Sequence, residues 1–216
     1  MTALLRYIAA DAAGSQRWVA PMLCFLVAMT VLDAGGGSAL SCYGSTSAAM
    51  LAVAIWLTIA VAGSEDPIQT AVTVVTVGSS VRVRLAKLAA AYAACLPLTL
   101  GAVAWPLLTG GHTASFGDVV AGVVAHLLTA VAGVGFGALL SRPVLRHTAW
   151  AVLLGVAIFL AEVAIPDVPP ARQLLTLFGA DHPHHMAIPI VIISLEALAL
   201  AALTVFGAHR IARARG

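Results

Sequence analysis

The sequence predicts an all-α integral membrane protein of six transmembrane helices with both termini in the cytoplasm. Three observations predict it. The 216 residues are 61% hydrophobic and 9% charged, with a mean hydropathy of +1.02, whereas a soluble domain carries roughly 25% charged residues. Six stretches approach the ~20 apolar residues that cross a bilayer. The cations fall almost entirely into alternate connections between those stretches.

The elements follow in order. Seventeen residues, with Arg6, Asp11 and Arg17, precede the first span, 18–32. They lack the compact basic region followed directly by an apolar core that marks a signal peptide. The second span is 46–63, the third 86–108, the fourth 119–140, the fifth 149–165 and the sixth 188–206. No other stretch is long or polar enough for a separate soluble domain, so residues 1–216 read as one transmembrane domain. Arg6 and Arg17 precede span one. Arg82, Arg84 and Lys87 lie between spans two and three, Arg142 and Arg146 between four and five, and Arg210, Arg213 and Arg215 follow span six. These segments share one side and hold every cation except Arg172. Cytoplasmic loops carry the excess of Lys and Arg, which places both ends inside and the chain in the inner (plasma) membrane as a multi-pass protein.

Residues 64–88, SEDPIQTAVTVVTVGSSVRVRLAKL, are therefore cytoplasmic. Asp66 is a good N-cap, Pro67 suits the first helical position and Gln69 falls at N3, a capping-box arrangement. Gly78 is a natural stop. The expectation is a short amphipathic helix, Pro67–Val77, on the membrane surface. Gln69, Thr73 and Thr76 share a polar face pointing away from the membrane. Ile68, Val72 and Val75 face the bilayer or the bundle. A second helix starts near Ser79 or Ser80, and the stems of Arg82, Arg84 and Lys87 snorkel to the headgroups.

This order of acidic pair, short helix with an early Gln, small-residue break and basic turn ending RLAKL resembles the segment between spans two and three of ABC-2 type transporter permeases. The resemblance extends to the layout of six spans with both ends inside. It implies that residues 64–80 form a coupling helix that docks on an ATPase subunit through Asp66, Gln69, Thr70, Thr73 and Thr76. It implies an interfacial elbow helix in 1–17, TALLRYIAADAAGSQRW being its core, and short re-entrant helices in the outer connection 166–187, which contains PPARQLLTLFG. The family's common acidic-Gly-Thr wording is replaced here by Pro67, Gln69 and Thr70, which leaves the subfamily open. The implied function is the membrane-spanning half of an ATP-driven exporter of a hydrophobic or amphipathic substrate. Its partners are an ABC ATPase, a second permease half (a copy or a different chain) and lipid. Lys87 is the one lysine, in Leu-Ala-Lys-Leu, so the chain holds no G-x-x-x-x-G-K-[ST] motif. It is expected to be no enzyme and to carry no cofactor, with ATP and Mg²⁺ bound by the partner.

Intramembrane polar residues come next. Glu196 falls near the middle of span six and His126 within span four; each faces other helices or a wet cavity. Glu196 reads either as a gate, substrate contact or proton site, or as an interhelical hydrogen bond. His126 reads as structural or as its partner. Glu162 and Asp33 sit near outer span ends and are expected to reach water. The ADHPHHM stretch, 180–186, offers Asp181, His182, His184 and His185, but no Cys/His/Asp cluster is expected to join them, His112 being the other outer histidine. No metal site is expected, and Cys24, Cys42 and Cys95 show no metal or disulfide spacing. Gly133 and Gly137 form a GxxxG suited to close helix packing or to a permease–permease interface. No catalytic motif or long basic surface for nucleic acid is present. Two rival readings remain: an intramembrane enzyme or metal-dependent protein built on Glu196, His126 and residues 181–185, and a non-transporting membrane anchor or assembly factor.

Overall fold

A computed structural model describes residues 2–34, 38–109, 112, 114–142, 144–145, 147–166, 168–179 and 186–215. Among them the chain is helical, without strands, in the order α1 Thr2–Gly14, α2 Val19–Asp33, α3 Ala39–Ala62, α4 Pro67–Val77, α5 Ser80–Leu108, α6 Phe116–Leu140, α7 Thr148–Ala164, α8 Ala171–Phe178 and α9 Ala187–Arg215. Four of these, α3, α5, α6 and α9, are long and apolar enough to cross a membrane, as a multi-pass membrane protein requires. The helices α2 and α7 fall at the expected first and fifth spans, but their 15 and 17 residues are short of ~20. Taken with α1, from which it bends by 76°, α2 reaches the necessary length.

The core is built on α3 and α6. Glycine makes their approach possible. A Cβ on Gly133 would lie 2.6 Å from Ala54 Cβ, and one on Gly137 would strike Thr58 Cβ. Gly122 leaves room for the ring of Tyr43, which would otherwise lie 2.7 Å from its Cβ. Tyr43 is fully buried and donates its hydroxyl to Val103 O at 3.1 Å. The GxxxG of Gly133 and Gly137 is thus occupied within the chain. Gly135 faces α9, at Ala201 and Thr204. By contrast α9 is the least buried of the four long helices.

The bundle has two distinct ends. At one, Arg17 donates to Gly63 O, Arg84 donates to Ala208 O, and Arg17, Glu65, Asp66 and Arg142 line one cavity. The helix α1 packs there too, burying Ile8 and Ala12 with Val61 and Ala86. At the other, α8 buries Leu174 and Phe178 against Leu40 and Tyr43 near the start of α3. Within 166–187 the described residues form one short helix, α8.

Candidate functional site

The surface helix α4 forms as its local sequence dictates. Asp66 accepts from Gln69 N at 2.8 Å, Pro67 takes the first position, and Gly78 ends the helix at φ +71°. A left-handed residue there lets Gly78 N reach Val74 O at 2.9 Å, satisfying a terminal carbonyl at little steric cost because glycine has no Cβ. Ser79 then caps α5, accepting from Arg82 N at 3.3 Å. Two residues separate the helices, so α4 is tied closely to the start of α5.

Behind α4 lies an ion pair. Lys87, two turns into α5, places Nζ 2.7 Å from Glu65 Oε2, and the two side chains are only 9% and 1% exposed. Thr73 donates to Glu65 Oε1 at 2.9 Å and Thr70 to Oε2 at 3.3 Å. Burial pushes the Glu65 carboxyl up, but the hydrogen bond and charge of Lys87, with the Tyr7 and Thr73 hydroxyls, outweigh it and hold Glu65 below the usual carboxylate range. Tyr7 of α1 also accepts from Gln69 Nε2 at 2.9 Å. A cavity of about 590 Å³ opens beside the pair, lined by Glu65, Thr70, Arg84, Lys87 and Arg142.

Part of the expected polar face turns inward: Thr73 is buried and Gln69 and Thr70 are half-buried, while Ile68, Val72 and Val75, expected to face the bilayer or the bundle, are 78%, 62% and 81% exposed and so do not face the bundle. The reason is the ion pair: a buried charge is tolerated only when its remaining valences are hydrogen-bonded, and the polar stripe of α4 supplies those bonds. Of the expected partner-binding residues, Asp66 and Thr76 remain exposed. Gln69 does not complete a capping box; its Nε2 donates to Tyr7. Lys87 does not snorkel. Glu65 had no expected role; the signal available was a lone lysine in an apolar helix opposite an acid just ahead of an N-cap.

The other polar residues are dispersed. His126 is fully buried, with Nδ1 2.7 Å from Gly122 O and Nε2 3.0 Å from Thr46 Oγ1. Because a carbonyl only accepts, Nδ1 carries a proton. With both nitrogens engaged, His126 is not bonded to Glu196. Glu196 sits on α9 with Oε2 buried and without a hydrogen-bond partner. Glu162 does not reach water: it is 3% exposed, and its Oε2 accepts from Ala171 N at 3.4 Å, at the start of α8, where helical N–H groups lack internal partners. Residues 181–185, with Asp181, His182, His184 and His185, lie outside the described residues.

A Cys/His/Asp group that the sequence does not announce is present among the described residues. Asp33 and Cys42 are buried, at 9% and 3% exposure, and converge with His112 at the end opposite α4. No family model matches the chain, and neither the curated proteins nor the solved structures yield a match.

Proposed function

We propose that the chain is the transmembrane subunit of an ABC-2 type exporter, with six spans and both ends in the cytoplasm. In this reading α1 is the elbow helix, α2 and α7 are the short first and fifth spans, α4 is the coupling helix and α8 lies in the outer re-entrant connection. One observation carries it: α4 presents an uncovered outer face while its inner face is joined to α5 through Glu65 and Lys87. Displacing α4 without α5 would strip Thr70 and Thr73 from a buried ion pair that adjoins its first turn, which is costly because a buried charge needs its remaining valences hydrogen-bonded. A push on α4 is therefore passed to a membrane-crossing helix. The docking face consists of Ile68, Val72, Val75 and Thr76, flanked by Asp66, and Gln69, Thr70 and Thr73 fix its orientation from behind.

The partner is a separate P-loop ATPase, which binds ATP and Mg²⁺ and performs hydrolysis. A second permease half completes the pathway. The cargo is hydrophobic or amphipathic, and Glu196, whose Oε2 is buried without a hydrogen-bond partner on the sparsely covered α9, supplies a polar contact along the route.

The test starts from the gene: a P-loop ATPase should be encoded beside it, and the chain is reconstituted with that ATPase; a neighbourhood without one would count against the reading. Val72→Arg should abolish co-purification, or uncouple ATP hydrolysis from export, with no change in melting temperature. Unchanged binding together with unchanged coupling would remove α4 as the docking element. In the same assay Glu196→Gln should lower export while leaving assembly intact; normal export by Glu196→Leu would return this residue to a packing role.

A further inference from the structure

We infer that Asp33, Cys42 and His112 form a binding site for a zinc-class divalent cation at the end of the bundle opposite α4. The three residues come from separate elements. Asp33 is the last residue of α2, Cys42 lies in the first turn of α3, and His112 stands in the connection between α5 and α6. Their ligand atoms all lie within 4.8 Å of one another.

The distances suit one ion. His112 Nε2 is 3.2 Å from Asp33 Oδ1 and 3.7 Å from Cys42 Sγ. Metal–ligand bonds of about 2.0–2.3 Å in a tetrahedron give nitrogen–oxygen and sulfur–nitrogen edges of about 3.3 and 3.6 Å. Two edges of the polyhedron thus stand near their required lengths, and the third, between Asp33 and Cys42, is within 4.8 Å.

Two further observations point to a ligand. Asp33 Oδ1 is buried without a hydrogen-bond partner, although His112 Nε2 lies 3.2 Å away. The two atoms stand at ion-pair distance without hydrogen-bond alignment, a placement that a shared cation also fits. The other carboxylate oxygen, Oδ2, accepts from Thr109 Oγ1 at 3.2 Å. That bond orients the carboxylate as outer-shell partners of metal ligands do.

The donor set selects the cation. One thiolate, one imidazole and one carboxylate disfavour magnesium and calcium, which take oxygen donors, and suit zinc. Charge supports the same choice. The thiolate and carboxylate together carry two negative charges, which a divalent ion neutralises at a site where the His112 and Asp33 side chains are 4% and 8% exposed; isolated buried charge is otherwise expensive. Three protein ligands leave a fourth position for water or another small donor. The bound ion clips together α2, α3 and the α5–α6 connection, and it does so whether or not α4 docks on an ATPase.

The experiment is metal binding by the purified full chain in detergent, with Co²⁺ as the optical probe and Zn²⁺ as competitor. Wild type should bind one ion per chain and show a thiolate-to-cobalt charge-transfer band that Zn²⁺ abolishes. Cys42→Ser should lose that band. His112→Ala and Asp33→Asn should each weaken Zn²⁺ binding by about ten-fold or more, as measured by chelator competition. Asp33→Asn keeps the shape of the side chain and should preserve the metal-free melting temperature, which separates lost ligation from lost fold. Absence of the band in wild type would overturn the proposal. So would equal binding by wild type, Cys42→Ser and His112→Ala, since the ion would then sit elsewhere, as at residues 181–185.

Discussion

At the scale of single residues, the pair of Glu65 and Lys87 holds only while both are charged. The Glu65 carboxyl is held below its ordinary range by Lys87 and the surrounding hydroxyls. The unfolded chain therefore takes up the proton first as acid is added. The stabilisation is fully present above the unfolded carboxylate value of about 4.3 and is lost as pH falls through the lower folded value. Melting temperature in detergent should accordingly drop for wild type below about pH 4, and Glu65→Gln, which has no proton to take up, should lack that component of the drop. Identical acid profiles for the two would show that Glu65 is not the group responsible. Lys87→Ala should cost about 3 kcal/mol at neutral pH, because it leaves a buried carboxylate alone. The residue scale also separates what a sequence displays from what it hides. Asp66 and Gly78 are legible because a cap bonds within three or four residues. The partnership of Glu65 with Lys87 is not, since it depends on the register of α4 against α5. Asp33, Cys42 and His112 are further still from legibility, lying on three elements that only the folded bundle brings together.

At the scale of elements, the ends of α4 and the start of α5 coincide with those the sequence predicts, and the facing of Gln69, Thr70 and Thr73 does not. Amphipathic periodicity gives two faces but no absolute direction. The usual assignment of the polar face to water fails when a buried ion pair lies beneath the helix and needs hydroxyl donors. Periodicity is equally silent on α3 and α6, which are apolar nearly all round. There the glycines carry the information. Gly133 and Gly137 face α3 and Gly135 faces α9, so substitution has a definite steric cost. Gly133→Ala would bring its Cβ to 2.6 Å from Ala54 Cβ and 2.7 Å from Leu51 O. The helices must then separate, at about 1–3 kcal/mol for overpacking a filled core. Gly101→Ala, on α5, meets nothing within 4 Å, and should be neutral or slightly stabilising because glycine is the weaker helix former. Thermal melts of the two variants against wild type check this, and equal stability would mean that α3 and α6 are not packed at these glycines.

At the scale of the whole molecule, the charge pattern and the packing make the same division. The cation-bearing segments meet one another, through Arg17 with Gly63 and Arg84 with Ala208. The opposite connections meet at the other end, where Thr109 bonds Asp33 and His112 approaches Cys42. In the proposed reading the excess of Lys and Arg puts the first end in the cytoplasm. Span number is harder to read from sequence, because a run of apolar residues does not reveal where its helix breaks: α1 and α2 bend by 76°. A labelling experiment decides the orientation. Cys42 is a poor reporter, because it is 3% exposed and faces His112. Phe116, at the first position of α6, is 84% exposed at the end opposite α4, and Val75 on α4 is 81% exposed. In a chain carrying Cys24→Ala, expressed without partners, Phe116→Cys should react with an impermeant maleimide in intact cells. Val75→Cys should react only after the membrane is opened. The reverse pattern would invert the orientation and place α4 where no cytoplasmic ATPase could reach it. Reaction of both positions in intact cells would put the two ends on one side, and the six-span exporter reading would fall with them.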